Sequence, residues 1–135
     1  MSDFNWKPGY TDRRGYIGTK ANQIAPGKRM LSSQTPTIVA RNGKVVLLTG
    51  SPGGRTIINT SLCIVLNILE FQMDLLSAIS APRLHHQWLP DLVLFEGVEQ
   101  KRHQDAMTQL RVWGHKIDAK ATLILSGSTS RRENT

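Results

Sequence analysis

Two short runs rich in β-branched and apolar residues flank a turn signal. Thr35-Pro36-Thr37-Ile38-Val39-Ala40 reads as a strand, with Pro36 at its start, where a missing N–H does least harm. Arg41-Asn42-Gly43-Lys44 carries the Asn-Gly mark of a hairpin, and Val45 to Thr49 returns antiparallel. Gly50-Ser51-Pro52-Gly53-Gly54 then interrupts the pattern, and a helical period begins. Ile58, Leu62, Val65, Leu66 and Leu69 fall on one face, predicting an amphipathic helix from Arg55 to about Phe71. Ile57, Ile64 and Ile68 widen that face, which predicts burial against a sheet on one side and a further layer on the other. Cys63, inside this run, reads as an inert buried thiol.

Further along, Asp74 to Ser80 predicts a short helix, ended by Ala81-Pro82 because a residue before proline avoids the helical region. Leu84 to Trp88 and Leu92 to Phe95 predict short strands. Glu99 to Trp113 predicts a helix with Met107, Leu110 and Trp113 facing inward and Gly114 as its stop. Ile117 to Leu125 offers a last strand, and Gly127 to Thr135 a loose polar tail. Residues 1–34 are turn-rich, with Lys7-Pro8-Gly9-Tyr10, Arg14-Gly15-Tyr16 and Ala25-Pro26-Gly27-Lys28 as turn signals. Phe4, Trp6, Tyr10 and Tyr16 argue that this region is a packed loop.

Composition narrows the class. With 135 residues, 39% hydrophobic and 20% charged, the chain has room for one domain with a modest core. No apolar run reaches the roughly 18 residues of a membrane helix, and Met1 to Trp6 carries no basic-then-apolar export pattern. A single cysteine rules out an internal disulfide. The net charge of +7 raises the question of nucleic acid, but the basic pairs Arg13-Arg14, Lys28-Arg29, Lys101-Arg102 and Arg131-Arg132 are scattered. No basic stripe alternates with aromatics, so no nucleic-acid partner is expected.

Several clusters carry candidate chemistry. Strand, glycine turn and helix, running Val45 to Thr56, aim backbone N–H groups and the positive end of a helix dipole at one point. Such a point binds an anion or a carbonyl oxygen becoming one; the same turn also fits a plain strand-to-helix connection. A phosphate-binding P-loop does not fit, because only three residues separate Gly50 from Gly54 and Arg55 stands where lysine is required. Ser32-Ser33 could hold both oxygens of a carboxylate, or be a polar turn. Asp3, beside Phe4 and Trp6, could hold an ammonium group, or be an ordinary surface carboxylate. Ser2 could become an N-terminal nucleophile if Met1 were removed. His85-His86 point to opposite faces of a strand and make a poor chelate, and His103 and His115 are not spaced for a metal, so neither metal nor cofactor is expected.

Taken in order, these residues resemble the small subunit of γ-glutamyltranspeptidase, or glutathione hydrolase. The matching motifs are Met1-Ser2-Asp3-Phe4 with Lys7-Pro8-Gly9, and Ala21-Asn22 with Ala25-Pro26-Gly27-Lys28-Arg29. Leu31-Ser32-Ser33 with Thr35-Pro36-Thr37-Ile38-Val39, Thr49-Gly50-Ser51-Pro52-Gly53-Gly54, and Ala81-Pro82-Arg83 with His85-His86-Gln87-Trp88-Leu89-Pro90-Asp91 continue them. The likeness runs to about residue 118. It implies an N-terminal-nucleophile hydrolase, a four-layer αββα sandwich with largely antiparallel sheets, here in part. It implies a precursor that cleaves itself into large and small subunits, and a threonine that attacks γ-glutamyl amides such as glutathione. On this resemblance Asp3 binds the α-ammonium group, Ser32 and Ser33 hold the α-carboxylate, and Gly53 and Gly54 form the oxyanion hole. His85 to Trp88 become structural.

The resemblance also carries departures. The family's threonine nucleophile would precede the stretch matched by Met1 to Phe4, and the large subunit would supply an arginine for the substrate carboxylate. Ser2 aligns inside the substrate-binding stretch, where the family usually has a second acidic residue, and so is not a relocated nucleophile. The expectation is one partial α+β domain: a substrate-binding loop region over 1–34, a sheet and helix core over 35–125, and a loose tail over 126–135. Such a piece, truncated at both ends, should show unpaired strand edges and an exposed apolar helix face. The alternative is a non-catalytic remnant or a partner-dependent fragment. A periplasmic or extracellular address follows from the resemblance alone.

Overall fold

The computed structural model describes residues 4, 5, 7, 9, 10, 18–97 and 99–118. Strands β1 (Thr37–Arg41) and β2 (Lys44–Thr49) form an antiparallel hairpin. Asn42 and Gly43 both take positive φ, 52° and 75°, as a two-residue turn matched to strand twist requires. Pairing runs from Arg41↔Lys44 to Thr37↔Thr49, with a register shift where Val39 faces Leu47 and Ala40 faces Val45. Val46 is the extra residue of that bulge.

A 3-10 turn, Gly54–Thr56, leads into helix α1 (Ile57–Leu69). Helix α2 (Leu75–Ser80) follows, capped by Asp74, whose carboxylate accepts the Ser77 N–H at 3.0 Å. Hydrogen bonds from Ser77, its side-chain one foremost and this backbone one with it, hold the Asp74 carboxyl below its ordinary value of 3.8. Strands β3 (Leu84–His85), β4 (Val93–Phe95) and β5 (Ile117–Asp118) form a second sheet, with β3–β4 antiparallel and β4–β5 parallel. Helix α3 (Gln104–Val112) makes the crossover and starts from a 3-10 turn at Lys101–His103. It ends in a paired C-cap: Gly114 N–H donates to Arg111 O and His115 N–H to Leu110 O, with Gly114 at φ 90°.

Leu47 of β2 and Ile64 of α1 are buried in the first half; most of the core lies in the second, where Ala78 of α2, His85, Val93, Phe95 and Met107 are buried. The Phe95 ring meets His103 edge-on at 5.2 Å. Arg83 and Glu96 close this half with a paired contact, Nε to Oε2 at 2.8 Å and Nη2 to Oε1 at 3.3 Å. The two adjacent histidines do face opposite ways: His85 is buried against Gln87, and His86 is exposed beside Asp91.

Three expectations are corrected. The apolar face predicted for α1 is not its packed face: Ile58, Leu62, Leu66 and Leu69 are exposed, while Thr60, Ser61 and Ile64 are buried. Small side chains let the helix backbone approach its neighbours closely. Ser61 Oγ lies 3.5 Å from Thr35 O, and Asn59 donates to Leu84 O. Cys63 is half-buried rather than buried, because it lies off the Thr60–Ile64 line. Trp113 is 67% exposed rather than inward, since it sits on the C-cap where the chain has left the helical path. The strands of the second sheet are also shorter than predicted. Of the strand drawn from Ile117 to Leu125 only Ile117–Asp118 falls among the described residues, and Gly127 to Thr135 lies outside them.

Candidate functional site

The hairpin decides what comes together. Thr37 pairs with Thr49, so the loop entering β1 and the loop leaving β2 emerge at the same end. The entering loop carries Ser32 and Ser33; the leaving loop carries Gly53 and Gly54. Between them lies a cleft of about 220 Å³ lined by Gln34, Thr35, Pro36, Gly50, Ser51 and Ile57. Ser61 on α1 ties the entering loop down through the Thr35 carbonyl.

The glycine turn has a backbone that other residues adopt only with strain, Gly53 at φ 137° and Gly54 at φ 59°. The Gly53 carbonyl is doubly held, accepting Thr56 N–H at 3.2 Å and Thr56 Oγ1–H at 3.0 Å. In a trans peptide the N–H points opposite to the C=O. With the Gly53 carbonyl turned toward the helix, the Gly54 N–H therefore points away from it, out along the positive end of the α1 dipole. Among the described residues neither glycine N–H has an acceptor. The turn can thus donate to an oxygen that gains negative charge.

The serine loop is ordered by its own hydroxyls and carbonyls. Ser32 Oγ accepts the Gln34 N–H at 3.2 Å, and the Ser33 carbonyl accepts Thr35 Oγ1–H at 3.3 Å. Ser32 is exposed and Ser33 half-buried. Asp3 lies outside the described residues, as do Ser2, Trp6 and Tyr16. Phe4, next to Asp3, is half-buried, and Tyr10 is exposed. The geometry adds Thr35 and Ser51 to the surroundings. In the sequence Thr35 reads as the start of a strand and Ser51 as part of the glycine turn, so neither is marked as lining a cleft. Among the described residues no group of three or more His, Cys, Asp or Glu could hold a metal ion. No helix among them is long and apolar enough to cross a membrane.

A family model described as Gamma-glutamyltranspeptidase matches residues 1–134. The chain belongs to the γ-glutamyltranspeptidase family. The glutathione hydrolase proenzyme of Escherichia coli (strain K12) is 43% identical over 129 residues, covering 96% of this chain and 21% of that protein. The putative inactive glutathione hydrolase 4 of Arabidopsis thaliana is 49% identical over 76 residues, 56% of this chain and 40% of that one. Among solved structures, a variant of Helicobacter pylori γ-glutamyltranspeptidase superposes with a TM-score of 0.79 at 42% identity, covering 90% of this chain and 64% of that chain. The chain spans about a fifth of the length of the bacterial proenzymes it matches. The mixed helices and sheets are thus part of an N-terminal-nucleophile hydrolase fold, as the motifs imply.

Proposed function

We propose that this chain supplies the head-group-binding and oxyanion-stabilising part of a γ-glutamyltransferase, or glutathione hydrolase, acting on γ-glutamyl amides. What supports the reading is the hairpin register, which brings the loop that carries Ser32 and Ser33 and the loop that carries Gly53 and Gly54 to the same end of the hairpin.

In this reading Asp3 pairs with the α-ammonium group and the Ser32 and Ser33 hydroxyls donate to the α-carboxylate. These contacts fix the glutamyl group so that its γ-carbonyl oxygen faces the glycine turn. As a nucleophile adds to the γ-carbon, the carbonyl electron pair moves onto oxygen, and the Gly53 and Gly54 N–H groups donate to it. A single such donor is worth about 10²–10³ in rate. Collapse expels the amine, which takes up a proton, and leaves a γ-glutamyl-enzyme ester for water or an amino acid to cleave. In this reading the attacking threonine belongs to the part of the small subunit that precedes the matched stretch, and the large subunit contributes an arginine. Glutathione is the substrate that the names of the relatives suggest.

A second reading, a chain that binds without taking part in turnover, draws support from the likeness to a relative described as inactive. Titrating the full chain with L-glutamate separates these readings from a chain without a site. We expect saturable binding that Ser32→Ala and Ser33→Ala weaken. Absence of binding by a folded sample sinks the head-group assignment. A γ-glutamyl anilide incubated with the same sample should release no chromophore, and release would place a nucleophile inside residues 1–135.

A further inference from the structure

Thr56 stands at the N-cap of α1, where a threonine hydroxyl ordinarily accepts an N–H of the first helical turn. Here it makes no such bond. Its own backbone, at φ −84° and ψ −8°, is already helical, and the hydroxyl turns back to donate to Gly53 O at 3.0 Å. The Thr56 N–H donates to the same oxygen at 3.2 Å. That backbone bond belongs to the 3-10 turn, and any residue except proline could make it. The hydroxyl bond needs a threonine or a serine.

The oxygen so held belongs to the peptide whose N–H is that of Gly54. This peptide lies between two glycines, with ψ 10° on one side and φ 59° on the other. Rotating both angles by about half a turn in opposite senses exchanges the N–H and C=O directions, and glycine tolerates the resulting angles on either side. The flipped turn would aim a carbonyl oxygen where an oxyanion needs a donor. Each donor on Gly53 O is lost when that carbonyl turns away. The hydroxyl therefore weights the turn toward the orientation with the Gly54 N–H outward.

We propose that Thr56 is a positioning residue for the oxyanion-stabilising turn, its hydroxyl holding the Gly53–Gly54 peptide in the donor orientation. This rests on the oxyanion reading of that turn. The test uses the full chain and two ligands with the same head group: the γ-phosphonate analogue of L-glutamate, which brings charged oxygens to the turn, and L-norvaline, which brings none. In the wild type the Gly54 amide proton resonance should move with the phosphonate and not with norvaline. Thr56→Val keeps the shape and the backbone bond but removes the hydroxyl. Phosphonate affinity should then fall about tenfold, as the donor orientation becomes a minor one, while norvaline changes less than about twofold. Thr56→Ser should restore both the affinity and the Gly54 response. An equal fall for both ligands, as partial unfolding would produce, overturns the proposal. So does an unchanged phosphonate affinity in Thr56→Val, or a serine variant that restores nothing. A wild-type chain whose Gly54 amide ignores the phosphonate instead removes the oxyanion reading, and the positioning role with it.

Discussion

The hairpin with α1 leaves most of its large apolar residues exposed, with Leu47 and Ile64 buried, whereas the β3–β4–β5 sheet with α3 has the most deeply buried ones. Ile38, Leu48 and Leu62 in the first region are 67%, 68% and 52% exposed, whereas Val93, Phe95 and Met107 in the second are 3%, 9% and 2% exposed. The region around the cleft is thus shaped by turn dihedrals, hydrogen bonds and small buried polar side chains. The other region is held by close-packed side chains and the Arg83–Glu96 pair. Burial is not directional, but hydrogen bonds and φ angles are. The proposed site, which would place two N–H groups and two hydroxyls, would rely on the directional kind, with the core beside it as support.

The same kind of substitution should therefore have very different effects in the two regions. Met107→Ala removes a fully buried side chain and should cost about 3 kcal/mol, while Leu48→Ser should stay within about 0.5 kcal/mol. Urea unfolding of both variants measures this, and similar losses would erase the contrast. Gly54→Ala probes the dihedral half of the argument. A Cβ there would meet nothing within 4 Å, so only the left-handed backbone penalises it. We expect a loss of about 1–2 kcal/mol, and a neutral result would mean that the turn is not held at its positive φ.

The smallest expected effect concerns Asp74, at the boundary between the regions. Its carboxyl titrates below its ordinary value because Ser77 donates to the charged form. The folded value is the lower one, so the cap stabilises fully above the unfolded value of 3.8 and fades as pH falls through the folded value. The Tm difference between wild type and Asp74→Ala should be constant from about pH 7 to about pH 5 and shrink on further acidification. A difference that persists at about pH 2 would assign the effect to something other than the carboxylate.

Local elements were legible where one signal dominated. Asn42-Gly43 specified the turn, Asp74 and Ala81-Pro82 bounded α2, and Gly114 stopped α3, each through a backbone preference that needs no tertiary context. The orientation of α1 was not legible. Its hydropathy points the large aliphatic side chains inward, but the helix packs through Thr60 and Ser61, and only the neighbouring chain segments decide that. In the candidate site the glycine and serine motifs could be picked out by eye. Thr56 could not be given a role, since a threonine opening a helix reads as a cap until its hydroxyl is seen to turn back to Gly53 O.

The two-residue turn at Asn42 and Gly43 also has a consequence in time. Contacts between neighbours in sequence close with little loss of chain entropy, and a hairpin forms in about 1–10 μs. The parallel pairing of Val93 with Ile117 must wait until the whole of α3 has formed and folded back. The loops bearing Ser33 and Gly53 are therefore drawn to one end of a ribbon before the most buried side chains have found each other. The geometry of the proposed site is thus laid down early, and the packing that supports it arrives afterwards.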